Sequence, residues 1–379
     1  MDRPEGASCS EALGQRVPGT RGDPDAMWAT ARHGRLVALV AVAALAFVAC
    51  GDDDGDNGGA ADNGGDDTEE DLTIGYVVAG DRNDGGFYQG QVESVTETAD
   101  AEGLDTIVVD QVNPGAAQEA FENLCRQDVD VIIGGGSELA DGFIPVSLSP
   151  ECEEITFVLV GGFPPTEDSF ATVGANENEA HYMGGYAAGL LLEASGGNVA
   201  CVVGGPDLPF VRNMEANMTA GLEAAAPDKE MVVTLTGDFE DAALATEALT
   251  ALIDRGCTVF YPYLGGALPA TVEAAAEAGI SVVSTSVDLC GVEPFIQESI
   301  LYNPALFLPT VIEAIRNGDV VEGEQFALYG VGDNQELGID DPNDGVGAKL
   351  CEPTSEQQTQ LDDVREGIIS GEIETGQAA

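Results

Sequence analysis

Cationic side chains are the scarcest feature of this chain. Among 379 residues, lysine occurs only at Lys229 and Lys349, and 13 basic residues stand against 68 acidic ones, a net charge of −55. So negative a chain repels phosphate backbones and anionic membrane surfaces, which sets nucleic acid aside as a partner. Tryptophan occurs once, at Trp28, and histidine twice, at His33 and His181. No P-loop, HExxH or GxSxG pattern is present. The cysteines lack the close CxxC spacing of a zinc site, and the acidic run after Cys50 lacks the closing Glu of an EF-hand loop. No catalytic residue, cofactor or metal is expected, and His181 reads as a surface or packing residue. The longest apolar run, Leu36–Ala49, has 14 residues, short of the roughly 20 that span a bilayer.

What is present begins with that run. It follows Arg32, His33 and Arg35, the order of a secretory signal peptide over residues 1–49. Phe47-Val48-Ala49-Cys50 resembles a bacterial lipobox, with Phe47 at the usual Leu position, so Cys50 is expected to carry lipid. Polar, patternless sequence precedes Met27, which is the expected start of translation. Gly51 to Asp71 holds ten acidic residues and no basic ones. Such a segment cannot bury enough surface to offset its ordering entropy, so residues 50–71 read as a solvated tether. The expected location is the extracytoplasmic face of the cell membrane, reached through the lipid on Cys50. The strong acidity is also compatible with a salty medium.

Of the eight cysteines, Cys9 precedes the expected start at Met27 and Cys50 takes the lipid, which leaves Cys125, Cys152, Cys201, Cys257, Cys290 and Cys351. An even number outside the cytosol points to disulfides. Six cysteines allow about 15 pairings, of which nearest-neighbour order is one.

Hydrophobic residues make up 44% of the chain, enough for a sizeable core, and the length fits two domains. From Leu72 onward, short Val/Ile-rich runs alternate with segments of helical period. Strands are predicted at Leu72–Val78, Thr106–Asp110, Val129–Ile133, Ile155–Val160, Ala171–Val173, Asn198–Val203, Met231–Thr236, Thr258–Tyr261, Ile280–Ser284 and Gln325–Tyr329. Helices are predicted at Gln89–Ala101, Ala116–Arg126, Glu179–Glu193, Val211–Ala225, Ala242–Asp254 and Leu268–Ala278, with another opening at Asn303-Pro304. Apolar strands alternating with helices argue for parallel sheets covered on both faces. The strands are too many for one open sheet, so two α/β lobes are expected: 72–178 with about 295–319, and 179–294 with about 320–379.

Ligands of open α/β sheets bind beyond the carboxyl ends of the strands. Those ends are rich here in glycine, polar and aromatic residues. The candidate ligand contacts are Asp84, Phe87 and Tyr88 after the first strand, Gly136 and Ser137 after the third, and Asn176 after the fifth. The second half adds Asp207, Tyr261, Gly265, Ser286 and Asp288. Aromatic rings offer stacking faces, carboxylates accept hydroxyl hydrogens, and glycine admits close approach.

Four stretches carry a family resemblance: GDRNDGGFYQGQVESV, ANENEAHYMGGYAAGLL, VVGGPDLPFVRNMEANMTAGLEAAAP and GIISGEIETG. Over about Leu72–Gly376 the chain resembles the basic membrane lipoprotein, or PnrA-like, family of ABC-transporter substrate-binding proteins. The resemblance implies a type I periplasmic-binding-protein fold, with two parallel-sheet α/β lobes, a hinge and an interlobe ligand cleft. It also implies a purine-nucleoside-like ligand, an ABC permease as partner and a monomeric receptor. In that comparison Phe87 matches the stacking position and Asp84 the Asp before it. Asp207 and Arg212 lie on the second-lobe loop, and Tyr261 on the facing aromatic strand. Tyr88 stands where the family usually has Asn, Ser286 where it has the first of two Asp, and no lysine occurs near Ser299–Tyr302. The expected function is that of a solute receptor of an ABC importer. A sensor of the same fold coupled to a membrane kinase, or an extracellular hydrolase, are the alternatives.

Overall fold

The computed structural model describes residues 72–376. The signal peptide, Cys50 and the acidic tether lie outside the described residues.

The strands β1 (Thr73–Val77), β2 (Asp105–Val109), β3 (Val131–Gly134), β4 (Thr156–Val160) and β5 (Ala171–Ala175) are interleaved with helices α1 (Phe87–Glu102), α2 (Ala117–Leu124) and α3 (Ala140–Ser147). Then come α4 (Glu177–Ser195), β6 (Val199–Gly204), α5 (Pro209–Ala225), β7 (Glu230–Leu235), α6 (Ala242–Asp254), β8 (Cys257–Tyr263), α7 (Leu268–Ala278), β9 (Ser281–Ser286) and β10 (Ile296–Leu301). The chain closes with α8 (Leu308–Asn317), β11 (Gln325–Tyr329), β12 (Gly347–Leu350) and α9 (Ser355–Ser370).

These form two six-stranded sheets, ordered β11-β5-β4-β3-β1-β2 and β12-β10-β9-β8-β6-β7. Every pairing is parallel except β10 with β12. The central strands are buried along nearly their whole length, as in Val131–Gly134, Ala171–Ala175 and Val199–Gly204. Helices on both faces remove the solvent side that would otherwise select polar residues.

Two strands lie in the opposite sheet from the one expected. Ile296–Leu301 belongs to the second sheet and Gln325–Tyr329 to the first. The chain therefore crosses between sheets at 175–177, again at 301–304, and finally at 329–331. Strand β10 escapes a reading of apolar runs because Gln297, Glu298 and Ser299 interrupt it. Glu298 and Ser299 are nonetheless wholly buried.

One hydrophobic core runs through both sheets, from Tyr76, Ile133 and Val173 to Val202, Val283 and Ile300. A second core in the first half centres on Phe143, whose ring meets Phe121, Phe157 and Phe170 edge-on at 5.1, 5.4 and 5.6 Å, geometry that suits the aromatic quadrupole. Helices α4 and α5 cross closely because they meet through glycines. A Cβ at Gly185 would lie 2.0 Å from the Met218 carbonyl oxygen, and one at Gly221 2.0 Å from that of Tyr182. Helix α9 starts with a capping box between Thr354 and Gln357.

The six cysteines pair as Cys125–Cys152, Cys201–Cys257 and Cys290–Cys351, the nearest-neighbour order. Their loops of 27, 56 and 61 residues correspond to about 3.6–4.3 kcal/mol each in the chain-entropy treatment.

Candidate functional site

The turn after β1 delivers Asp84, Phe87 and Tyr88. Asp84 is 7% exposed. Its Oδ1 accepts the backbone N–H groups of Gly86 (2.9 Å) and Gln89 (3.0 Å), and its Oδ2 that of Tyr88 (3.2 Å). It is thus a cap on the orphan donors of α1, rather than the free hydroxyl acceptor expected from sequence. Burial pushes its carboxyl up, and the three N–H groups oppose that shift. Phe87 and Tyr88 meet edge to face at 5.3 Å, and Phe87 lies 6.3 Å from the Tyr302 ring.

Tyr88 donates its hydroxyl to Glu138 Oε1 at 3.0 Å. Glu138 sits on the one-turn helix Ser137–Leu139 that follows β3. Across from it, Tyr263 at the end of β8 donates to Glu177 Oε2 at 3.2 Å, and Glu177 is the first residue of α4. Each carboxylate is therefore held by one tyrosine, one pair on each sheet. Burial raises Glu138. Burial, with the negative charge of Glu138 adding, pushes Glu177 up to about 7 despite the Tyr263 bond. The aromatic wall continues from Tyr263 to Phe210 (6.3 Å), which stacks on Phe239 at 6.3 Å and 12°. Next to Phe239, Glu240 Oε2 accepts the Gly266 N–H at 3.0 Å.

The strand-end glycines have a specific reason. A Cβ on Gly80 would stand 2.1 Å from the Tyr88 ring, and one on Gly136 2.4 Å from both Glu138 oxygens. One on Gly205 would stand 2.2 Å from Phe239, and one on Gly265 2.4 Å from a Glu240 oxygen. These glycines make room for the cleft's own rings and carboxylates.

Beneath this layer, His181 Nε2 lies 3.1 Å from the Tyr261 hydroxyl, which lies 3.1 Å from that of Tyr302. All three residues are at most 3% exposed. Burial lowers His181 to about 3, so its ring is neutral. The Tyr261 ring, expected to face ligand, instead supports Tyr263, two residues on along the same strand face.

The first and third crossings are tied to each other, and the second is tied to the cleft's own residues. The Asn176 N–H donates to Tyr329 O (2.7 Å) and its side chain to Glu179 Oε1 (2.7 Å). Glu179 Oε2 accepts the Val331 N–H at 2.9 Å. Asn303 donates to Phe87 O and to Ser286 Oγ, both at 3.2 Å. Ser286 is buried and has φ of 65°, a left-handed conformation that costs a serine energy and clusters at functional sites.

Of the residues expected at the cleft, Phe87, Tyr88, Gly136, Ser137 and Gly265 gather there, with Asn176 at the first crossing and Ser286 bonded to Asn303 at the second. Asp207 and Arg212 do not join them. They are exposed, and Arg212 pairs with both Asp207 oxygens (2.6 and 2.7 Å) and with Glu215 (2.7 Å). Asp288 points outward too, to Lys349 at 2.6 Å. Glu138, Glu177, Tyr263, Phe239 and Glu240 were not anticipated. The Gly-Gly-Gly-Ser-Glu run and the Tyr-Pro-Tyr alternation were the signals for Glu138 and Tyr263. Among the described residues no group of three or more His, Cys, Asp or Glu is placed to hold a metal ion, and no helix is long and apolar enough to cross a membrane.

Known proteins share this architecture. A solute-binding protein of an ABC transporter from Aeropyrum pernix superposes with a TM-score of 0.66 at 18% identity, covering 81% of this chain and 94% of that one. The fold is that of the type I periplasmic binding proteins. In sequence, a CD4+ T-cell-stimulating antigen of Listeria innocua is 24% identical over 61% of this chain and 64% of its own length. A putative ABC transporter glucose-binding protein, TsgA13 of Haloferax volcanii, is 29% identical over 47% of this chain and 43% of its own. The chain thus spans less than two thirds of the curated relatives it matches. The model of the PnrA-like ABC transporter substrate-binding proteins matches residues 72–377, the whole of the described body, and the chain belongs to that family.

Proposed function

We propose that this protein is a lipid-anchored receptor that captures a small polar solute outside the cell and delivers it to an ABC importer. Anchoring is through Cys50, with residues 51–71 as the tether. The moving bodies are the two sheets with their helices, roughly residues 72–175 with 304–329, and 177–301 with 331–376. The crossings at 175–177, 301–304 and 329–331 are the hinge, and ligand is held by closure. The receptor works as a monomer and turns nothing over.

One observation carries this reading: aromatic rings and hydrogen-bonding carboxylates from both sheets converge on one cleft, with Tyr88 and Glu138 facing Tyr263 and Glu177. Flat faces beside acceptors suit a nucleoside, with base stacked and ribose hydroxyls donated, or a sugar, whose apolar face lies on a ring. The Haloferax volcanii relative named for glucose binding supports including sugars.

The test is a thermal-shift panel on Gly51–Ala379, secreted with its disulfides formed, against nucleosides, free bases, pentoses, hexoses and amino acids. A rise of several degrees with one solute, competed by its relatives and with that solute recovered unchanged, is the expected result. Consumption of the solute would contradict the reading.

A further inference from the structure

The cleft's charge is one-sided. The tyrosines that hold Glu138 and Glu177 are joined across the sheets by a chain of rings, Tyr88–Phe87–Tyr302–Tyr263, at 5.3, 6.3 and 6.5 Å, and the charge of Glu138 adds to the upward shift of both Glu177 and Tyr263. Glu240 is likewise felt at Tyr88. Among the described residues, the ion pairs of Arg82, Arg126, Arg212, Lys229, Arg255, Arg316 and Lys349 all go to other carboxylates. The donors on the Glu138 carboxylate are the Tyr88 hydroxyl and its own backbone N–H, and the donor on Glu177 is the Tyr263 hydroxyl. Their remaining acceptor positions point to the ligand's side of the bargain: a carboxylate has room for about four hydrogen bonds, and one that is half-buried gains most from a donor that reaches it.

Resting on the receptor reading, we propose that Glu138 and Glu177 determine specificity, so that the cleft accepts a solute presenting hydrogen-bond donors to both carboxylates and refuses the same solute once it carries an anionic group. Hydroxyls of a neutral polyol and a protonated amine both satisfy this chemistry. Above about pH 7, where Glu177 is ionised, a phosphate or carboxylate supplies acceptors where acceptors already stand, and like charges across a dry contact are strongly disfavoured. Gly136 is part of the device, because any side chain there would displace the Glu138 carboxylate lying on it.

Calorimetry on the full secreted chain tests this with five probes: adenosine and D-ribose as neutral polyols, 1,4-diaminobutane as the protonated amine, and adenosine 5′-monophosphate and ribose 5-phosphate as their anionic counterparts. Binding of adenosine or ribose would identify the polyol form, and binding of the diamine the amine form. In the polyol form each phosphate is expected to bind at least about 100-fold more weakly than its parent, and in the amine form neither phosphate is expected to bind. E138Q and E177Q should each weaken the accepted probe about tenfold while melting cooperatively at or above the wild-type Tm at pH 8, since each removes a carboxyl that burial raises. A phosphate bound within about threefold of its parent, or a bound probe indifferent to both substitutions, would overturn the proposal and leave the receptor reading standing. Silence from all five probes with folded protein would overturn the solute class of the receptor reading, and this inference with it.

Discussion

Two buried side chains show how burial decides ionisation in this protein. Glu298 is wholly buried on β10, and both carboxylate oxygens lack a hydrogen-bond partner. Burial raises its carboxyl well above the ordinary value. A carboxyl raised in the folded state costs stability as pH climbs past its unfolded value near 4.5, because only the unfolded chain then releases the proton freely. Glu298→Gln is therefore expected to raise Tm at pH 7 and 8 and to change it little at pH 4. A parallel offset at all three pH values would refute that cause. His181 works in the opposite direction. Lowered to about 3, it remains neutral while the unfolded imidazole takes a proton below about 6.5, so its contribution is lost as pH falls from 6.5 towards 3. Melting curves of the wild type and of His181→Asn should converge across that window as the pH is lowered. At the cleft, Phe87→Ala is expected to cost about 1–3 kcal/mol of affinity if a ring of the ligand stacks on it, with Tm nearly unchanged. Unaltered affinity would remove Phe87 from the contact surface.

Between elements, the α4–α5 crossing is the tightest contact. Gly185→Ala or Gly221→Ala drives a methyl into the facing helix backbone, and overpacking of this kind costs about 1–3 kcal/mol or more. A fall in Tm of several degrees is expected, whereas Gly196→Ala, with open space around it but a φ of 73°, tests backbone strain alone. This scale also explains which elements were legible in sequence. Runs such as Val131–Gly134 and Thr156–Val160 are apolar because helices cover both faces, and they declare themselves. Strand β10 does not, because Gln297, Glu298 and Ser299 read as surface until the fold buries Glu298 and Ser299. Strand β12 is a four-residue antiparallel edge with Lys349 in it, too short and too polar to show a period. Misplacing β10 and β11 between the sheets has the same origin: period reveals a strand and says nothing about which sheet receives it.

For the molecule as a whole, the type of site could be read from glycine-rich strand ends, but not the residues that fill it. Phe87, Tyr88 and Gly136 were visible in local pattern. Asp84 looks like a ligand acceptor in sequence, yet three backbone N–H groups occupy it. Asp207, Arg212 and Asp288 look equally suitable, yet they pair with neighbours on the surface. Charge identity alone cannot tell a carboxylate facing the cleft from one paired outside it in so acidic a chain. Glu138 and Glu177 acquire their role only when the two sheets face each other.

The central claim is that solute is held between those sheets by contacts from both. The most direct measurement is the affinity of one accepted solute for the wild type, Tyr88→Phe, Tyr263→Phe and the surface control Asp207→Asn, all by calorimetry. Each tyrosine loses only the hydroxyl that positions its carboxylate, so each substitution should weaken binding about tenfold, or about 1.4 kcal/mol, with the control unchanged and the stoichiometry at one. Full affinity in both tyrosine variants, with loss in Asp207→Asn, would place the solute on the outer surface and contradict the account.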